Sequence, residues 1–145
     1  MSTASIQLDP LQRAVSTLAE ALDFWHATSE ASPLKPHLRS AVLQSFEFSY
    51  ELSVRTLKRV LVERAATADE VMELSFNDLL RRAAGAGYVP DALGWRRWRE
   101  MRNLTSHAYD AELAQRVALA AGEFLVDARA LIAALADAAS PESAP

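Results

Sequence analysis

The chain contains no cysteine and only four glycines in its 145 residues. Without cysteine there can be no disulfide, no thiol nucleophile and no thiolate metal site. Its three histidines, His26, His37 and His107, lie far apart without ligand spacing, so neither a metal nor another cofactor is expected. No apolar stretch approaches the roughly 20 residues of a bilayer span. The opening "MSTASIQLDP" has neither the basic start nor the apolar run of a secretory signal. A cytoplasmic protein that does not engage the membrane is therefore expected. The formal charge of -4 argues against general coating of nucleic acid, but it leaves room for a local basic patch that binds phosphate.

What the chain has in abundance is helix-forming sequence. Half of its residues are hydrophobic, enough to bury one core without staples. Ala, Leu, Glu and Arg dominate, and the apolar positions recur at steps of three and four. Leu8, Leu11, Val15, Leu18, Leu22 and Trp25 form the first stripe, which predicts a helix over about 8–29 that ends where Pro33 and Pro36 cannot continue it. The longest helix is expected from Pro36 to Ala65, with Leu43, Phe46, Tyr50, Leu57 and Leu61 inward. A shorter one is expected at Ser75–Ala84, closing at Gly85 or Gly87, and "YVPDALG" then reads as a turn. A fourth helix over Asp91–His107 carries Trp95, Trp98, Met101 and Leu104. Asp110 is placed to cap a fifth, with Leu113, Val117, Ala121, Phe124, Ala128, Leu131 and Leu135 as its inner face. The expected fold is all-α, an up-and-down bundle of about five helices over residues 8–136. Residues 1–7 and 137–145 are expected to be disordered.

Most of the chemistry is crowded into "RNLTSHAYD", Arg102–Asp110, at the junction of the last two helices. In a regular helix Arg102 and His107 point about 140° apart, so they converge only if the last turn unwinds or another subunit supplies the partner. Arg102 follows Trp98 by four residues on the same face, and "WRRWREMR" around it holds four arginines and one glutamate. Histidine exchanges protons near neutral pH, and the guanidinium fork matches phosphate. The pair suits metal-independent RNA cleavage: His107 would move a proton at the ribose 2'-hydroxyl or the leaving oxygen, and Arg102 would hold the scissile phosphate. Asn103 and Ser106 could orient substrate. Equally, His107 could do no more than end a helix by pairing with its dipole.

Other residues have plainer readings. Glu47 and Glu51, one turn apart, could act as paired carboxylates, but pairing of Glu51 with Arg55 on the surface, or pairing between helices, is the more common use. Phe46, Tyr50, Trp95 and Trp98 fit a core better than a base-stacking platform. Phe48 lies off the main stripe and marks a candidate dimer face. Arg96, Arg97 and Arg99 suit RNA steering or an ordinary solvated face, and His26 and His37 are expected to be exposed and inert.

Three blocks, Leu43–Leu61, Phe76–Val89 and Trp95–Asp110, together resemble the nucleotidyltransferase substrate-binding protein family, a branch of the HEPN superfamily. The likeness runs over roughly residues 8–135. Its most specific part is the Arg-Asn-x-x-Ser-His-x-Tyr-Asp run, met here by Arg102, Asn103, Ser106, His107, Tyr109 and Asp110. The resemblance implies a homodimeric HEPN ribonuclease, the toxin of a type VII-like toxin-antitoxin pair, with Arg102 and His107 as catalytic residues in a cleft across the dimer. On the reading of the residues themselves, Arg99, Asn103 and Ser106 are the expected RNA contacts beside that pair. The resemblance further implies that a cognate minimal nucleotidyltransferase, the antitoxin, transfers AMP to Tyr109, adding charge and bulk to the RNA cleft. The family name carries a second implication, a non-catalytic subunit that binds nucleotide for a two-component nucleotidyltransferase.

Overall fold

A computed structural model describes residues 7–139, and among these the only regular structure is helical. Helix α1 spans Asp9–Ala27, α2 Lys35–Arg64, α3 Asp69–Met72, α4 Phe76–Gly85, α5 Ala92–Leu104 and α6 Ala111–Ala139. Both α1 and α2 open on a proline in the first turn, where the missing N–H costs nothing. Ser75 caps α4 by accepting a hydrogen bond from the Asp78 amide at 3.2 Å. Asp110 caps α6 through the amides of Glu112 and Leu113 at 2.9 and 3.2 Å. Beyond α4 the backbone reverses at Gly87, whose φ of +86° is open to glycine but unfavourable for other residues.

The scaffold is formed by α1, α2 and α6, which pack against one another, and α4 and α5 close the bundle against α2 and α6. Small buried residues recur every fourth position of α2 at Ser45, Ser49 and Ser53, on its inner side. At the centre Phe124 of α6 is fully buried and meets Phe46, Trp95 and Trp98 edge to face, with ring centroids 4.9, 5.7 and 5.6 Å away. Each such pair adds about 0.5–1.5 kcal/mol beyond its buried area. Trp98 also donates from Nε1 to Asp127 at 2.8 Å, so its one polar atom is satisfied and α5 is fixed on α6.

Three expectations require correction. A sixth helix, α3, occupies the connection between α2 and α4, and its Val71 is fully buried. The fourth predicted helix stops at Leu104, and Thr105–His107 form a tighter 3-10 turn. Residues 137–139, expected to be tail, continue α6. The remaining residues expected to be disordered, 1–6 and 140–145, lie outside the described chain, whereas Gln7 lies within it just ahead of α1.

Candidate functional site

The 3-10 turn determines where the motif residues go. Because the backbone tightens after Leu104, Thr105 is turned inward and is buried, whereas Ser106, His107, Ala108 and Tyr109 are all exposed. The Thr105 hydroxyl lies 2.6 Å from the Arg102 carbonyl and 2.8 Å from Glu47 Oε2. It also accepts from Arg102 Nη1 at 3.0 Å. It therefore ties the end of α5 to α2.

Arg102, at the end of α5, reaches across to α2. Its Nε and Nη2 donate to Glu51 Oε2 at 3.0 and 2.7 Å, and its Nη1 lies 3.1 Å from Glu47 Oε2. About 30 % of the side chain remains open to solvent, so the guanidinium is anchored on one side and accessible on the other. The hydrogen bond to Glu51 is the main reason its already high pKa is raised further. Burial opposes this, and the charges of Glu51 and Glu47 add to it. Interhelix pairing is thus the use made of Glu47 and Glu51, and the partner is Arg102 rather than Arg55.

His107 faces a different neighbour. Its Nδ1 lies 3.2 Å from the Tyr109 hydroxyl, and the two rings meet edge to face with centroids 5.9 Å apart. When the phenol donates, Nδ1 is the acceptor and the ring proton resides on Nε2. Tyr109 is 85 % exposed. Asn103, also exposed, uses its carbonyl to accept from the Ser106 hydroxyl at 2.8 Å. Arg102 and His107 therefore share one junction, but their side chains engage separate partners, and the single chain forms no direct bond between them.

The remaining arginines divide by their contacts. Arg97 is committed to Glu123, with contacts of 2.7 and 3.3 Å, and lies over the Trp98 ring. Arg99 lies over Phe76 of α4, 4.6 Å from its centroid. Arg96 is exposed. Phe46, Tyr50, Trp95 and Trp98 are core, as their spacing predicts, whereas Phe48 is 55 % exposed. Among the described residues no group of three His, Asp or Glu side chains converges as a metal site would require. Sequence reasoning missed the anchors of Arg102: Thr105 stands inside the quoted motif and went unassigned, while Glu47 and Glu51 were read without their partner. The i,i+4 spacing of the two glutamates was the available signal.

This arrangement can hold an anion on the open side of Arg102 and exchange a proton at His107. The model of the family described as "Nucleotidyltransferase substrate binding protein like" matches residues 6–137. A Haemophilus influenzae protein named "Probable ribonuclease HepT" is 37 % identical over 103 residues, covering 71 % of this chain and 70 % of that protein. The solved structure of HI0074 from Haemophilus influenzae, described as revealing the fold of a substrate binding domain of a nucleotidyltransferase, aligns with a TM-score of 0.82 at 31 % identity. That alignment covers 90 % of this chain and 99 % of that one. With nearly its whole length matched in sequence and in fold, the chain belongs to the nucleotidyltransferase substrate-binding family, the family of the HepT-like proteins.

Proposed function

We propose that this protein is a metal-independent endoribonuclease that acts as a homodimer, the toxin of a pair whose antitoxin is a minimal nucleotidyltransferase. The observation that carries the reading is the α5–α6 junction, which carries an anchored guanidinium still about 30 % open to solvent and, a few residues on, an exposed imidazole against an exposed tyrosine. The name of the Haemophilus relative supports the same class of chemistry.

In this mechanism Arg102 binds the scissile phosphate by its open side and offsets the charge that builds on the pentacoordinate phosphorus. An imidazole, His107, takes the proton of the ribose 2'-hydroxyl. The 2'-oxygen attacks phosphorus, the bond to the 5'-oxygen breaks, and an imidazolium protonates that leaving oxygen. The products are a 2',3'-cyclic phosphate and a 5'-hydroxyl end. Pairing two protomers across their exposed junctions brings a second Arg102–His107 set to the cleft and answers the divergence of the two side chains within one chain. Phe48, exposed on α2, belongs to the dimer face in this reading. Arg99, Asn103 and Ser106 contact the RNA, and Tyr109 receives AMP from the transferase.

The description of the similar HI0074 structure favours a second reading, a subunit that binds nucleotide substrate for a transferase without cutting RNA itself. One assay separates the two. Purified wild-type and His107→Ala proteins are incubated with labelled transfer and messenger RNA in EDTA. Cleavage by the wild type alone is the expected outcome. Intact RNA with both proteins, together with measurable nucleotide binding, would replace the nuclease with the binding subunit.

A further inference from the structure

Along α2 the surface charge changes sign. Glu47 and Glu51 face Arg102, and beyond them come Arg55, one turn after Glu51, then Lys58 and Arg59 at about two turns. Because Glu51 is directed at Arg102, Arg55 lacks the i,i+4 partner that its spacing offers. Among the described residues none of these three cations makes an ion pair.

The three surround an open concavity of about 470 Å³ between α2 and α3, whose lining also includes Val62, Met72 and one carboxylate, Glu63, at the end away from Glu51. Met72 is 55 % exposed. Cations without an ion pair among the described residues, beside an adaptable thioether and a valine, offer positive charge for the phosphates of a single strand and an apolar contact for a base. Lys58 lies seven residues past Glu51, about 10 Å along the helix. That is about the length of three stacked nucleotides. On the α5 side Arg99, seated over Phe76, continues the positive surface from Arg102.

We propose that this concavity is a second subsite for the RNA strand whose scissile phosphate lies at Arg102. Arg55, Lys58 and Arg59 take phosphates and Val62 and Met72 receive a base. The proposal rests on the ribonuclease reading above. It adds a measure of substrate length: a strand too short to reach from Arg102 to Lys58 gains nothing from the α2 cations.

The test uses the full chain with His107→Ala, so that RNA is bound and not consumed, with and without the added pair Arg55→Ala and Arg59→Ala. Both arginines are exposed, and circular dichroism and thermal melting check that the fold is kept. The probes are a labelled dinucleotide, whose one phosphate is taken at Arg102, and a single strand of about 12 nucleotides, within the site sizes of such proteins. On the long strand Kd is expected to rise, and the slope of log K against log salt to shrink by about 1.4, that is about 0.7 for each of two lost phosphate contacts. Dinucleotide binding is expected to stay constant. In protein that retains His107, the same pair of substitutions is expected to raise KM for long RNA at constant kcat. An unchanged slope and Kd on the long strand, or equal weakening on both lengths, would overturn the proposal. So would normal RNA binding combined with loss of transferase capture, which would make the concavity a protein docking surface. Parent protein that neither binds nor cuts RNA would remove the ribonuclease reading as well, whereas a cutting parent with an indifferent variant removes only this subsite.

Discussion

Glu51 holds the Arg102 guanidinium through two nitrogens at once, Nε at 3.0 Å and Nη2 at 2.7 Å, both directed at the same carboxylate oxygen. The two residues are 51 positions apart on different helices, so this contact sets how the arginine presents its open side. If the arginine binds the scissile phosphate, Glu51 is a positioning residue with a mixed effect, since it orients the guanidinium and also competes for it. Glu51→Ala is expected to slow single-turnover cleavage by about 10–100-fold, the scale on which a small misplacement of a catalytic group acts. Ground-state RNA binding is expected to hold or tighten. The pair is partly exposed, so the loss of stability is expected to stay within about 1 kcal/mol. Single-turnover rates and binding isotherms on the same protein check this, and an undiminished rate would show that the clamp has no part in catalysis.

Tyr109 is the residue on which regulation would act. Its hydroxyl is exposed and lies against His107 Nδ1. Transfer of AMP joins the phenolic oxygen to the α-phosphorus of ATP, releases pyrophosphate and sets a negatively charged diester beside the imidazole. Co-expression with an active cognate transferase is expected to add at least one AMP mass to the Tyr109 peptide and to silence cleavage. Tyr109→Phe is expected to gain no mass at that peptide. Silenced protein with an unmodified Tyr109, read by peptide mass spectrometry, would move inhibition to another mechanism.

The long helices were legible because their apolar positions repeat over many turns, and both the core aromatics and the Asp110 cap follow from local pattern. The four-residue helix α3 was not legible, since a single turn carries no periodic signal. Nor was the end of α5. No glycine or proline interrupts "LTSH", and the turn tightens where the Thr105 hydroxyl meets both the Arg102 carbonyl and Glu47, a tertiary contact with α2. The candidate site divides in the same way. Arg102, His107 and Tyr109 stand out as one local run, but the grip on Arg102 comes from a helix far away in sequence. Arg55 in turn looked paired, because its i,i+4 neighbour Glu51 has its partner on another helix.

Tyr50 links the core to this charged edge and gives a pH signature. Burial pushes its pKa from 10.0 up to about 12, with Arg99 and Arg102 pulling it down in part and Glu51 opposing them. The neutral phenol is therefore the form the fold favours. The stabilisation is fully present below about pH 10, where the unfolded tyrosine titrates, and is lost as pH rises toward 12. The two-unit shift corresponds to about 2–3 kcal/mol. Urea melts at about pH 9 and about pH 11.5 are expected to show this extra alkaline loss in the wild type and its reduction in Tyr50→Phe. Equal alkaline losses in both proteins would assign the effect to other groups.

Among the described residues Lys35 is the one buried lysine or arginine, and it ends α1 in place of a glycine cap. Its ammonium donates to the carbonyls of Trp25 and, at 2.9 Å, Thr28, and lies 4.8 Å from the centre of the Trp25 ring. The last carbonyls of a helix lack partners within it, and a cation placed there satisfies them while opposing the dipole. Lys35→Met keeps the length of the stem but leaves these carbonyls without the ammonium. With hydrogen bonds to charged groups contributing about 1.5–3 kcal/mol, a loss of about 2–3 kcal/mol is expected, seen as a lower urea midpoint at constant m. Glu30 also lies 3.4 Å from the ammonium, but its side chain is 82 % exposed, so Glu30→Gln is expected to cost less than about 1 kcal/mol. Equal losses in the two variants would mean that the surface ion pair, and not the capping of α1, is what Lys35 contributes.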